Sequence, residues 1–310
     1  MTTLAQPLPG QTAKGIALLV AGVAVFSVQD LILKLLSGAY PLHQAMLLRS
    51  LTAIPFLLIL VHWEGGLRSL FTPGTRAMML RGCVMFAAYT AYYLALAALP
   101  MATTVALYFS APLFITILSV IFLAERVGPR RWFALMAGFS GVLIMVRPGG
   151  TLFDWAALLP VLSGLTYAIS MIAARRLGTT ETASALAFWG NAVFLLGAIF
   201  LSALFGRGTW EGDAHPSLAF LLRGWVTPTG FDLMLMMSCG IIAAAGLTLL
   251  TQAYRVAEAS VVTPFEYTGL IWSVLYGWIF WQHWPNDTDW IGIAIIVGAG
   301  LYILWREARE

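Results

Sequence analysis

The chain has 310 residues, 60% of them hydrophobic and 10% charged, with a formal net charge of +3. Soluble domains run nearer a quarter charged, so this composition excludes a water-soluble fold and points to a membrane protein with short loops. The small positive charge is explained by loop topology and calls for no nucleic-acid partner.

About 20 apolar residues make one helical crossing of the hydrocarbon layer. Ten segments qualify in chain order: residues 13–36, 44–62, 79–98, 102–124, 130–147, 152–174, 182–205, 231–253, 258–281 and 287–305. No segment has the alternating polarity of a membrane barrel strand, and only helices otherwise satisfy every backbone group in lipid. The expectation is an all-α membrane protein with ten transmembrane helices and short tails at 1–12 and 306–310. The tail before Lys14 has no charge in its first ten residues, and no cleavage pattern follows the first apolar run. That run is expected to remain as a span.

The first span carries Asp30 and, one turn on, Lys34; the second carries Arg49. With Glu266 these are the only formal charges well inside the spans, where ionisable groups are costly and face a partner or a cavity. Asp30, Lys34 and Arg49 are expected to form an ion pair or gate near the outer surface. In the third span Tyr89 and Tyr93 are four apart and share a face. Cys83, in the same span, and Cys239, in the eighth, have no metal-ligand spacing around them. Both are expected to be buried packing residues, and no metal or cofactor is expected.

The fourth span opens a duplication. At an offset of 157, Ala102 meets Ala259, Val105 meets Val262, Leu113 meets Leu270 and Gly141 meets Gly298. Five spans on each side of the turn at 147–155 make two halves, 13–147 and 152–305. Five is odd, so the halves are expected to be inverted, as in carriers that work by alternating access. Twelve Lys and Arg, Arg81 among them, then lie on the side of the termini against Arg147, Arg207 and Arg223 on the other, which puts both termini in the cytoplasm.

The fifth span contains Gly138-Phe139-Ser140-Gly141, a match to intramembrane serine proteases. Ser140 lacks a base: the four His residues lie in loops or at span ends, so no catalytic residue and no enzyme is expected. Ala137 with Gly141 and Ala294 with Gly298 are read instead as close helix packing.

The later spans supply polar points for a cavity: Ser163 and Tyr167 in the sixth, Gln252 in the eighth, and Glu266 and Tyr267 in the ninth, with Tyr108 from the fourth. Glu266 lies about 12 Å from the cytoplasmic end of its span. Pro264, two residues before it, loosens the turn there and frees carbonyls to line a polar space.

The five-plus-five spans, the Ala102-Thr103 opening of the fourth, Ala111-Pro112, the helix-ending Ala124-Glu125-Arg126, and Gly138 and Gly141 together resemble the EamA branch of the drug/metabolite transporters. The resemblance covers residues 13–305 and is nearest to the YddG-type amino-acid exporters. Gln282 and Gly269 depart from its pattern in the second half. The resemblance implies that the third, fourth, sixth, eighth and ninth spans line a central cavity. The expected function is export of amino acids, aromatic and neutral ones first, or of related small metabolites. A multidrug or quaternary-cation exporter is the alternative, since tyrosines and one acid suffice for a cation. A carrier of phosphate esters would need paired deep bases, which are absent. The implied location is the inner (plasma) membrane, with lipid and a small solute as partners. Monomer and homodimer both stay open.

Overall fold

The computed structural model describes residues 9–125, 127–146, 155–178, 180–212, 215–282, 284 and 287–307. Arg126, Arg147, His283 and the outermost tail residues, all used in the reading above, lie outside them. The described residues form helices and no strand: α1 Pro9–Leu36, α2 Leu42–Glu64, α3 Thr75–Ala98, α4 Met101–Tyr108, α5 Ala111–Leu123, α6 Pro129–Val146, α7 Leu158–Leu177, α8 Ala183–Phe205, α9 Pro216–Leu222, α10 Gly230–Val256, α11 Ala259–Val262, α12 Gly269–Trp281 and α13 Asp287–Glu307. Among the described residues, seven segments are long and apolar enough to cross a membrane: Gln11–Leu36, Leu42–Glu64, Thr75–Ala98, Met101–Leu123, Trp155–Leu177, Ala183–Phe205 and Gly230–Val256. The other three expected spans coincide with α6, with α11 to α12, and with α13.

Large apolar side chains face outward: Ile121, Phe133, Leu196 and Phe200 each expose more than half their surface. Water would penalise such a surface over so much of the bundle, whereas lipid solvates it. Cys83 is also exposed, which corrects the expectation that it is buried; Cys239 is buried. Arg81 is not a loop charge. It is 3% exposed inside α3, and its Nε donates to the Ser170 carbonyl at 3.0 Å. Its span begins one turn earlier than the hydropathy suggested, because Thr75 already lies in the helix.

Two of the expected spans are broken in the middle. In the fourth, α4 stops at Tyr108 and α5 starts at Ala111. Pro112, the second residue of α5, has no N–H to give to the preceding turn and is tolerated in a first turn. The ninth runs as α11, a 3-10 helix over Thr263–Thr268, and α12. Pro264 stands in the first turn of that tighter stretch.

The broken helices set the repeat register. α5 and α12 each have 13 residues. Each ends on a left-handed residue, Ala124 at φ 54° and Gln282 at φ 55°. Both pairs of ends are 158 apart, one more than the identity matches suggested. Apolar helices with few distinctive residues accept a one-residue slip in alignment, while a helix cap does not. In this register Tyr108 corresponds to Glu266 and Phe109 to Tyr267.

Packing surrounds a centre. α1 lies along α10, α3 along α7 and α8, α2 along α8 and α10, and α4 against α7 and α12. α6 and α13 pair with each other and touch the 3-10 helix. At that contact Gly138 passes beneath the Tyr267 ring, where an added Cβ would stand 2.9 Å from Cε2. Ser140 turns its hydroxyl back to the Ala137 carbonyl at 2.8 Å. Gly138 is therefore used for close packing, whereas Gly298, expected to pack closely with Ala294, is exposed and has open space where a Cβ would stand.

Candidate solute-binding cavity

The centre of the bundle holds a cavity with about 720 Å³ of empty space, including the part open to solvent. α1, α3, α4, α7, α10, the 3-10 helix and α12 supply its lining. Its wall is aromatic. Phe26, Tyr89, Tyr92, Tyr108, Phe109 and Tyr167 line it. A chain of rings runs from Phe26 through Tyr89, Tyr93, Tyr92 and Tyr108 to Tyr167, with successive centroids 5.2–5.8 Å apart. Such tilted and edge-on contacts hold aromatic rings in fixed orientations.

Two carboxylates interrupt this wall, Asp30 and Glu266, and among the described residues no Lys, Arg or His lines the cavity. The 3-10 stretch after Pro264 carries Glu266, which is 4% exposed. Its Oε1 accepts two hydroxyls, from Tyr254 at 2.6 Å and from Tyr167 at 2.9 Å. Its Oε2 is buried without a hydrogen-bond partner among the described residues. Asp30 accepts the Tyr92 hydroxyl at 3.0 Å. A buried carboxylate favours any donor or cation that reaches it, because few other groups offset its desolvation. Ser27, Ser163 and Ser273 add smaller polar points.

Of the residues singled out in the sequence, Tyr89, Tyr108, Ser163, Tyr167 and Glu266 line this cavity, and Asp30 lines it with them. Tyr93 is fully buried one layer behind, where its hydroxyl accepts from Gln29 Nε2. Tyr267 packs edge-on against Phe109, at 5.1 Å, and Phe109 is the ring on the cavity side. Gln252 turns away and accepts from Arg255 Nη1 at 2.6 Å.

The outer gate expected of Asp30, Lys34 and Arg49 is not assembled. Lys34 Nζ donates to the Leu96 and Leu99 carbonyls at 2.8 and 2.9 Å, closing the free end of α3. Arg49 Nε donates to Gln29 Oε1 at 2.8 Å, and its guanidinium lies 4.9 Å from the Phe194 ring centre. Both cations find local acceptors or a ring, which leaves Asp30 to the cavity.

Sequence reasoning passed over Phe26, Tyr92 and Tyr254. Tyr92 stands three residues from Tyr89 and so on the same side of α3, a spacing that could have found it. Nothing in the local sequence marks Tyr254. Among the described residues no three His, Cys, Asp or Glu side chains come together to hold a metal.

The EamA-like transporter family model matches residues 13–147 and 154–305. A riboflavin transporter of Rhizobium johnstonii is 36% identical over 220 residues, 71% of this chain and 67% of that protein. An S-adenosylmethionine uptake transporter of Rickettsia prowazekii is 26% identical over 84% of this chain and 81% of its own length. A pseudopaline exporter of Pseudomonas aeruginosa is 28% identical over 92% of this chain and 94% of its own. One crystal structure superposes with a TM-score of 0.72 at 19% identity, covering 97% of this chain and 98% of that one. At that identity it shares the fold alone.

Proposed function

The chain belongs to the EamA-like transporter family, and from that premise we propose that it is a secondary carrier for a flat aromatic or heteroaromatic metabolite of neutral or positive charge. The observation that carries this reading is a cavity walled by six aromatic rings and two carboxylates, with no basic side chain among its lining residues. Rings recognise the face of a planar solute, and the few oriented polar groups fix its edge. Anionic solutes are disfavoured, because a phosphate or sulfate would meet two acids and no cation. Riboflavin, an uncharged planar solute, is the first to test, in keeping with the relative at 36% identity.

Export of aromatic amino acids is the second reading, favoured by the open Oε2 of Glu266, which suits an ammonium. A quaternary-cation exporter would use the same acid and rings.

The carrier reading takes the halves 13–147 and 152–305 as inverted five-span repeats in an inner membrane, ten spans in all with both termini cytoplasmic. Support comes from the loop-charge bias and from the two broken helices, which end on left-handed residues at matching places. Contact between Phe109 and Tyr267, residues at equivalent places in the two halves, is what a two-fold axis beside the cavity produces.

Proteoliposomes carrying the purified protein test the solute class. Riboflavin, tryptophan, S-adenosylmethionine and a cationic dye are compared with riboflavin phosphate. Uptake or counterflow of one or more of the first four, with riboflavin phosphate excluded, is the expected outcome. Transport of the phosphate ester at a rate equal to riboflavin would overturn the reading, as would transport of none of them.

A further inference from the structure

The last turn of α10 carries two consecutive residues with contacts in different places. Tyr254 is fully buried and gives its hydroxyl hydrogen to Glu266 at 2.6 Å. Arg255 reaches Glu64 Oε1 at 3.0 Å. Glu64 is the last residue of α2, and its carboxylate also accepts the N–H groups of Ala183 and Ser184, at 3.2 and 2.8 Å, in the first turn of α8. From α7, Arg175 donates to the Arg255 carbonyl at 2.6 Å. One carboxylate and two arginines thus gather the ends of α2, α7, α8 and α10. Gly178, which caps α7, leaves the passage for the arginine: a Cβ there would stand 2.4 Å from Arg255 Cγ.

This knot stands beyond the inner end of the cavity. Leu250 lines the cavity, Tyr254 follows one turn later on α10, and Arg255 is the next residue. A second tie lies at the same end of the bundle, where Arg131 of α6 meets Glu258 at 3.4 Å and Glu125 accepts the Ala259 N–H at 3.2 Å. The Arg255–Glu64 pair is partly exposed, with side-chain exposures of 17% and 33%. Its worth as an ion pair is therefore modest, as a contact must be if it is to open in every transport cycle.

We propose that Tyr254 and Arg255 couple the cavity to this closure: neutralising Glu266 loosens Tyr254, and the α10 terminus then releases Glu64. The proposal rests on the carrier reading and adds residues to it. A hydrogen bond to a charged acceptor is roughly twice as strong as one to a neutral acceptor, so a solute donor or cation at Glu266 weakens the hold on Tyr254. Tyr254 and Arg255 are consecutive residues in the last turn of α10, so a movement of that helix end carries both. By linkage, whatever occupation of Glu266 does to the closure, loss of the closure does to Glu266.

The test needs no solute, so it stands whichever solute the cavity takes. In a Cys83→Ser, Cys239→Ser background, a single cysteine replaces Ser163, which lines the cavity. Its reaction with an impermeant maleimide is followed in inside-out vesicles. Glu64→Gln raises the labelling rate by about fivefold, and so does Gly178→Ala, which moves Arg255 without removing a charge. Glu266→Gln, at the cavity, raises it as well, and Glu266→Gln combined with Tyr254→Phe raises it no further than the larger single effect. Arg255→Lys stays closer to the parent than Arg255→Gln. Unchanged labelling in Glu64→Gln and Gly178→Ala would overturn the closure. A normal rate in Glu266→Gln, or additive effects in the double variant, would overturn the coupling.

Discussion

Phe109 and Tyr267 meet edge to face, with ring centroids 5.1 Å apart and planes at 83°. They stand at the same place in the two broken helices, 158 residues apart like the caps Ala124 and Gln282. The contact pins the two helix breaks to each other beside the cavity. Phe109 presents its ring to the solute space, and Tyr267 supports it from behind.

The Tyr267 hydroxyl is buried and has no partner among the described residues. A buried unpartnered hydroxyl loses its water hydrogen bonds without replacement. Tyr267→Phe therefore leaves thermal stability in detergent unchanged or raises it, and leaves transport at the parent level. Phe109→Leu, which keeps bulk but loses the edge contact, lowers stability by roughly 0.5–1.5 kcal/mol. A large loss of stability or of transport in Tyr267→Phe would show that the hydroxyl has a task.

Tyr89 and Tyr93 share a face of α3 but differ in depth. Tyr89 lines the cavity, so Tyr89→Leu weakens binding of an aromatic solute by roughly 0.5–1.5 kcal/mol, about two- to tenfold in Kd. Tyr93 accepts from Gln29, which in turn accepts from Arg49. Tyr93→Phe removes that acceptor and lowers stability by roughly 1–3 kcal/mol, with little change in Kd for the folded carrier. Titration of tryptophan fluorescence, with melting curves on the same samples, separates the two effects. The reverse pattern would place Tyr93 in the site and Tyr89 behind it.

Glu266 distinguishes solutes by charge. Removing its negative charge in Glu266→Gln forfeits a charge-assisted contact of about 1.5–3 kcal/mol, so a cationic solute loses roughly ten- to hundredfold in affinity. Riboflavin, which can use the amide oxygen, loses far less. Competition between the two in one preparation reads the difference directly, and equal losses for both would assign Glu266 to structure alone.

The proposed orientation rests on the loop charges and can be tested directly. A cysteine at Ala39, exposed between α1 and α2, reacts with an impermeant reagent from the outside of intact cells. One at Leu67, 53% exposed beyond α2, reacts only in inside-out vesicles. Reaction of both from the same side would break the assigned orientation.

Seven of the expected spans, the two-repeat layout and the family resemblance were legible because they depend on local properties: apolar run length, proline and glycine placement, and helix-ending residues. Pro112 and Pro264 even stood at the two breaks. The aromatic cavity was partly legible for the same reason, since Tyr89, Tyr108 and Tyr167 come from deep in apolar runs. The repeat register came out one residue short, because identities between apolar helices tolerate a slip that the caps at Ala124 and Gln282 do not.

Partner choice was decided only by the tertiary structure. Lys34 and Asp30, one turn apart, read as a pair or gate, yet Lys34 found two free carbonyls at the end of α3 and Asp30 a phenol on the same helix. Arg81 looked like a loop charge until α7, α8 and α10 closed around it with the Ser170 and Leu186 carbonyls and the Thr251 hydroxyl. Tyr254 had no mark in the sequence, because its role depends on Glu266 being turned toward it by the 3-10 stretch. In a low-dielectric bundle a polar group is stabilised by whichever neighbours the helix crossings supply. Hydropathy determines that a helix crosses, whereas the crossing geometry determines which acceptor its polar side chains meet.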